Sequence, residues 1–172
     1  MKTTINIGIL VVVSILVLCG TSMAQNPTFN AQGSAIVPHI FTYHYTATNK
    51  AISYISLSNI TDTVVNCKIV VYDHEGEDVT NRGRVMTGDN TGQWTTIALG
   101  TGEFEIPPHG TRMYMLDDSA NQRTVFGHAL VKWTSNNDKL SKALVGQYRY
   151  WGMHGTGSGH GGTSPINNGQ PF

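Results

Sequence analysis

The chain has 172 residues, with eleven basic against eleven acidic side chains, and only 13% of it is charged, about half the usual share of ~25%. That balance provides no basic face, so neither nucleic acid nor an anionic bilayer is an expected partner. It also leaves little self-repulsion to oppose assembly.

The first element is a targeting pattern. Lys2 gives a positive start, the run "INIGILVVVSILVL" from Ile5 to Leu18 is apolar, and "CGTSMA" supplies small residues, with Ser22 and Ala24 suited to a signal-peptidase pocket. Residues 1–24 read as a secretory signal peptide cleaved after Ala24. The protein is therefore expected in the periplasm, on the cell surface or outside the cell, and the pattern looks bacterial. A retained span would need ~20 apolar residues, more than this run offers, so Gln25–Phe172 is expected to lack a transmembrane segment. Lipid attachment at Cys19 wants a small residue before it, and Leu18 stands there. Pilin-type cleavage after Gly8 normally has Glu five residues on, where this chain has Val13. Without Lys2, the eleven basic residues become ten against eleven acidic, a net charge near −1.

Residues 25–50 are expected to form an N-terminal arm and a first strand. In "HIFTYHYTA", Phe41, Tyr43 and Tyr45 alternate with Thr42, His44 and Thr46. Residues 51–151 are expected to form the core of the fold. "AISYISLSNI" and "TVVNCKIVVYD" follow, then "WTTIAL", "GEFEI", "TRMYML", "TVFGHALVKW" and "KALVGQYRYW". All have a hydrophobic period of two and are bounded by turn residues, as strands are. No window has a convincing helical period; only "DDSANQ" and "SNNDKLSKA" have room for a turn or two.

The connections have their own chemistry. "NITDT" reads as a tight hairpin between two strong strands. "DHEGED" places Gly76 where a positive φ is needed. Pro107 and Pro108 end the strand before them, and Gly110 permits the reversal into "TRMYML". "RGRVMTGDNTGQWTTIALGTG", Arg82 to Gly102, reads as a long loop or hairpin excursion anchored by Trp94. Residues 152–172 read as a flexible Gly/His-rich loop and a tail. The tail's Pro165, Ile166 and Phe172 can dock on their own domain or on a neighbouring copy.

Cys67 is the sole cysteine left after cleavage, so no intrachain disulfide is expected. It shares a strand face with Val65, Ile69 and Val71 and reads as a small buried hydrophobe. Short antiparallel strands with little helix define the expected fold: all-β, a single antiparallel β-sandwich or flattened barrel.

The succession "ISYISLSNITDTVVNCKIVVYD", "FEIPPHGTRMYML" and "TVFGHALVKW", within Ala51 to Trp151, resembles the small β-sandwich of the sensory rhodopsin transducer family. The resemblance implies a non-catalytic, oligomeric interaction module. That family is cytosolic whereas this chain carries an export pattern, so no functional residue is carried over.

Candidate chemistry is sparse. His154 and His160 in "MHGTGSGHGGT" are two imidazoles suited to zinc, copper or nickel, but a site needs three or four ligands and glycine resists ordering. The acidic group Asp73, Glu75, Glu77 and Asp78 has the oxygen chemistry of calcium, without EF-hand spacing. "HEGED" has Asp78 where a zinc protease needs its second histidine. No GxSxG elbow or GxxxxGK loop occurs. Asn59-Ile60-Thr61 fits a glycosylation acceptor. Trp133, Tyr150 and Trp151, with Tyr148, sit at strand ends as a candidate aromatic platform for sugar or protein, or as core.

The expected function is that of an exported, non-catalytic interaction or self-assembling protein that uses no cofactor. Its expected partners are copies of itself or another surface protein. A carbohydrate- or metal-binding module is the alternative, and a hydrolase with dispersed residues the third. Exposed strand edges invite strand addition, with the arm "QNPTFNAQGSAIVPH" as the donor.

Overall fold

The computed structural model describes residues 29–117, 123–156 and 158–172. The signal-peptide reading, the start of the arm and most of "DDSANQ" lie outside these residues.

Among the described residues ten antiparallel strands make one sheet that wraps, nearly closed, around the main core. In chain order they are β1 (Gly33–Thr46), β2 (Asn49–Asn59), β3 (Val65–Tyr72), β4 (Gly83–Gly88), β5 (Trp94–Leu99), β6 (Glu103–Ile106), β7 (Thr111–Leu116), β8 (Thr124–Ser135), β9 (Leu144–His154) and β10 (Ser158–Pro165). Two 3-10 turns, Thr80–Arg82 and Ile166–Gly169, interrupt them. The expected all-β antiparallel architecture is what the chain forms.

The sheet has two layers. One runs β5-β4-β7-β2-β9-β10, the other β1-β8-β3-β6, and β1 passes between them. Tyr43–Thr46 of β1 pair with the start of β2, while the earlier residues pair with β8. Thr42 stitches the corner: its hydroxyl donates to the Leu116 carbonyl at 3.3 Å and accepts from the Ser53 amide at 3.1 Å. Thr42 is therefore buried, while Tyr45, one of the aromatic residues alternating with it, is exposed. Along β8 the register of β1 shifts at Pro38-His39, so both Val37 and Ile40 point inward. A bulge fits there because proline has no N–H for the ladder.

The core follows the period-two pattern. Val65, Cys67, Ile69 and Val71 of β3 are all buried; Trp133, Val131 and Ala129 of β8 lie beside them on the same face, and Leu57 and Tyr114 join the same cluster. Each fully buried large apolar side chain contributes about 1.5–3 kcal/mol.

Two connections differ from expectation. "NITDT" is no hairpin, because β2 and β3 do not pair: β3 lies between β8 and β6. The segment is an arch between layers, held by Asn59. Its side-chain amide donates to the carbonyls of Thr63, Ile106 and Pro107, and its oxygen accepts from the Thr61 amide at 2.9 Å. At the β6–β7 turn the left-handed residue is His109, with φ 54°, not Gly110. Gly110 is needed for space, since a Cβ there would lie 2.7 Å from the Pro107 ring. Gly76 does have the positive φ expected of it, 84°.

β1 supplies core residues, and residues 152–172 are no slack tail. Met153, Trp151 and Arg149 of β9 pair with Gly159, Gly161 and Thr163 of β10. Phe172 then docks back on its own domain, exchanging backbone hydrogen bonds with Ala143 and Leu144. Ile166 is buried beside Val37, Pro38 and Tyr148, where it helps close the seam between the layers.

Candidate interaction surface

Strand parity decides which candidate residues can meet a partner. On β9 the even positions Tyr148, Tyr150 and Gly152 turn toward the interior, and the odd positions Arg149, Trp151 and Met153 turn outward. The aromatic platform therefore does not form. Trp133 is 0% exposed in the core, Tyr150 packs against that core half-buried, and only Trp151, 38% exposed, faces out.

The hairpin register places His154 and His160 on one face of the β9–β10 hairpin, at diagonal positions. The His160 ring packs over the backbone of Gly152 and edge-on to Tyr150, with 6.2 Å between ring centroids. Among the described residues no three or more His, Cys, Asp or Glu side chains gather where they could hold a metal ion. The two histidines thus have no third ligand. The acidic group does not form a cage either, because its carboxylates serve their own turns. Asp73 Oδ1 accepts from the amides of Glu75 and Glu77, and Asp78 Oδ1 accepts from the amide of Thr80. Desolvation is the largest single influence on the Asp73 carboxyl and raises it, but the backbone hydrogen bonds from Glu77 and Glu75, with the nearby His74 and Arg82, together hold it below its usual range.

Cys67 is buried, and burial pushes its thiol up to about 12, so the thiolate needed for nucleophilic chemistry is suppressed.

The outward face of the six-stranded layer bears features that no local pattern announced. Ile52, Met86 and Met115 form a second buried apolar cluster there, flanked by Tyr54 and Met113. Trp94 overhangs it from the β4–β5 hairpin, which makes a groove of about 410 Å³. Its rim is polar: Arg84 pairs with Asp117 at 3.5 Å, and the Arg149 guanidinium lies 4.9 Å from the Tyr54 ring centre. Burial pushes the Tyr54 phenol up, and Arg149 partly offsets this. Farther along the same face, Ser56, Ser58, Thr111, Gln147 and Thr163 line a second trough of about 460 Å³.

The sheet edges differ from one another. β6 is short, carries Glu103 and Glu105, and ends at Pro107, and Lys68 pairs with Glu103 at 2.6 Å. Charge, brevity and proline all discourage another strand from adding. β3 beyond β6 is covered, its Val71 amide donating to the Thr80 hydroxyl and its Ile69 amide to the Gly102 carbonyl. β5 is less guarded, its one such device a bulge at Ile97 where its register against β4 shifts. "WTTIAL" has no charge and no proline, among the described residues pairs on one side only, with β4, and exposes Trp94 (58%), Ile97 (44%) and Leu99 (77%). At the far end of the same layer β10, "SGHGGTSP", is also free of formal charge apart from its histidine, has its one proline at its last position, Pro165, and among the described residues pairs only with β9.

Sequence reasoning named Trp94 as an anchor but missed the Met86–Met115 cluster and the open edges. The methionines stand on neighbouring strands, and which strand is outermost depends on long-range pairing.

No protein-family model matches the chain, and no curated protein matches it. Among solved structures, the crystal structure of Thermotoga maritima 1070 is similar, with TM-score 0.51 and 13% identity over 83% of this chain and 100% of that one. At that identity the likeness concerns the fold alone.

Proposed function

We propose that this is an exported, non-catalytic interaction protein that associates, first of all with copies of itself, by strand addition at an open sheet edge. One observation carries this reading: among the described residues β5 is an uncharged, apolar edge without proline in a molecule whose other layer ends in a short acidic strand. Strand addition satisfies edge N–H and C=O groups and buries exposed side chains at once. The resemblance to an oligomeric interaction family and the low charge point the same way. The arm is not needed as donor, because Ser34 to Val37 already pair with β8.

Light scattering of the purified protein tests this. Mass should rise with concentration, and Leu99→Lys should lower it. A wild-type protein that stays monomeric at high concentration ends the reading. For the export half, the secreted protein should begin at Gln25 by N-terminal sequencing; an intact Met1 in the cell pellet would count against it.

The outward face favours a second reading as a glycan-binding module. Trp94 and Trp151 offer aromatic faces, and the hydroxyl-lined trough offers hydrogen bonds. Titration with oligosaccharides should then give heat that Trp151→Ala abolishes.

A further inference from the structure

We infer that the β5 edge of one copy receives the β10 edge of the next, so that copies stack head to tail into one continuous antiparallel sheet. This rests on the strand-addition reading and specifies its geometry. Both open edges belong to the same layer, β5-β4-β7-β2-β9-β10. Every pairing in that layer is antiparallel. With six strands, the first and last run in opposite directions. A copy placed beside another in the same orientation therefore sets β10 against β5 antiparallel, and the alternation continues across the junction.

The side chains favour this pairing over a two-fold β5–β5 contact. β5 presents Trp94, Ile97 and Leu99, all exposed. Two such strands together would set bulky against bulky. β10 presents "SGHGGTSP", with three glycines, which leaves room beside its backbone. The lengths are also compatible, six residues against the seven of β10 that precede Pro165. A contact between different surfaces does not close on itself, so the product is an open filament. With strands ~4.8 Å apart, each copy advances the sheet by roughly 29 Å. The filament twists, because neighbouring strands rotate by about 20–25°.

Two edge-blocked variants test the pairing. One carries Ile97→Lys with Leu99→Lys on β5. The other carries Gly159→Lys with Thr163→Lys on β10. At Gly159 the added carbon would meet the Trp151 ring at an ordinary contact distance, 3.6 Å, without a clash. Should the β5 double variant fail to fold by circular dichroism, Leu99→Lys alone replaces it, at the most exposed of these positions.

Each variant should be monomeric alone, and mixing the two should give a one-to-one complex of doubled mass, because each retains the edge the other lacks. Electron microscopy of wild type should show filaments with a repeat near that advance. If the β10 variant dimerises alone while the β5 variant stays monomeric and mixing adds nothing, the contact is a two-fold β5–β5 one and the head-to-tail mode is wrong, while strand addition survives. If both variants assemble like wild type, the edges are not the contact. If wild type itself does not associate, the strand-addition reading fails with it.

Discussion

Asn59 shows how one polar residue can fix a topology. It is 2% exposed, and both ends of its amide are committed to the arch and to the β6–β7 connection. Alanine there would strand several buried partners, each costing about 1–3 kcal/mol. Asn59→Ala should lower unfolding stability by about 2–4 kcal/mol, read as a shifted urea midpoint; a change within error would mean that water replaces the amide. The same bonds bear on the sequon reading, since a nitrogen donating to three carbonyls is not presented for modification. Cys67 was legible from its strand alone, because its apolar companions at every second position name the buried face. With its thiol pushed up to about 12 by burial, it should resist a disulfide reagent at pH 8 in the folded protein and react fully once unfolded. Fast labelling of folded protein would contradict that environment. Asn59 was not legible in this way, since its partners at Ile106 and Pro107 lie far along the chain.

At the level of elements, strands announced themselves wherever oily and polar residues alternate, and this recovered β2, β3 and β8 nearly to their ends. β10 gave no such signal. "SGHGGTSP" has no large apolar residue, and it becomes a strand because β9 offers its backbone a partner. The arch at "NITDT" was misread because a short polar gap between two strong strands looks the same whether they pair or part. The C-terminal segment illustrates the consequence: Phe172 is 7% exposed and bonded to Ala143 and Leu144. Phe172→Ala should cost about 3 kcal/mol, at the lower end for a buried phenylalanine, and independently of protein concentration. A cost that grew with dilution would mean that the residue docks on a neighbour instead. The β4–β5 hairpin depends on Asp89, whose carboxylate accepts from the amide and hydroxyl of Thr91, the amide of Gln93 and the hydroxyl of Thr95. The Thr91 hydroxyl bond leads in holding this carboxyl below its usual range. A depressed carboxyl contributes stability above its unfolded value and loses it as pH falls through the folded one. Amide exchange in this hairpin, corrected for intrinsic rates, should stay level from neutral pH down to about 5 and rise below about 4. In Asp89→Ala it should be fast throughout.

For the whole molecule, the decisive property is which edges face solvent, and this lay beyond the sequence because strand order is set by contacts far apart in the chain. β4 and β5 are neighbours in sequence, but β4 reaches the layer by pairing with β7, which leaves β5 outermost. The two edges offered for assembly carry no Asp, Glu, Lys or Arg, and only His160 is titratable. Contacts between exposed charges are screened over ~10 Å at 0.1 M salt, whereas backbone hydrogen bonds and apolar burial are not. Association through β5 should therefore change little between about 0.05 and 0.5 M sodium chloride. It should strengthen in sulfate, which is excluded from protein surface and so favours burial. Light scattering across a salt series separates this from the alternatives. Assembly that dissolves as sodium chloride rises would place the contact on charged surface, with Arg84, Arg149 and Lys50 around the outward groove as the first residues to examine.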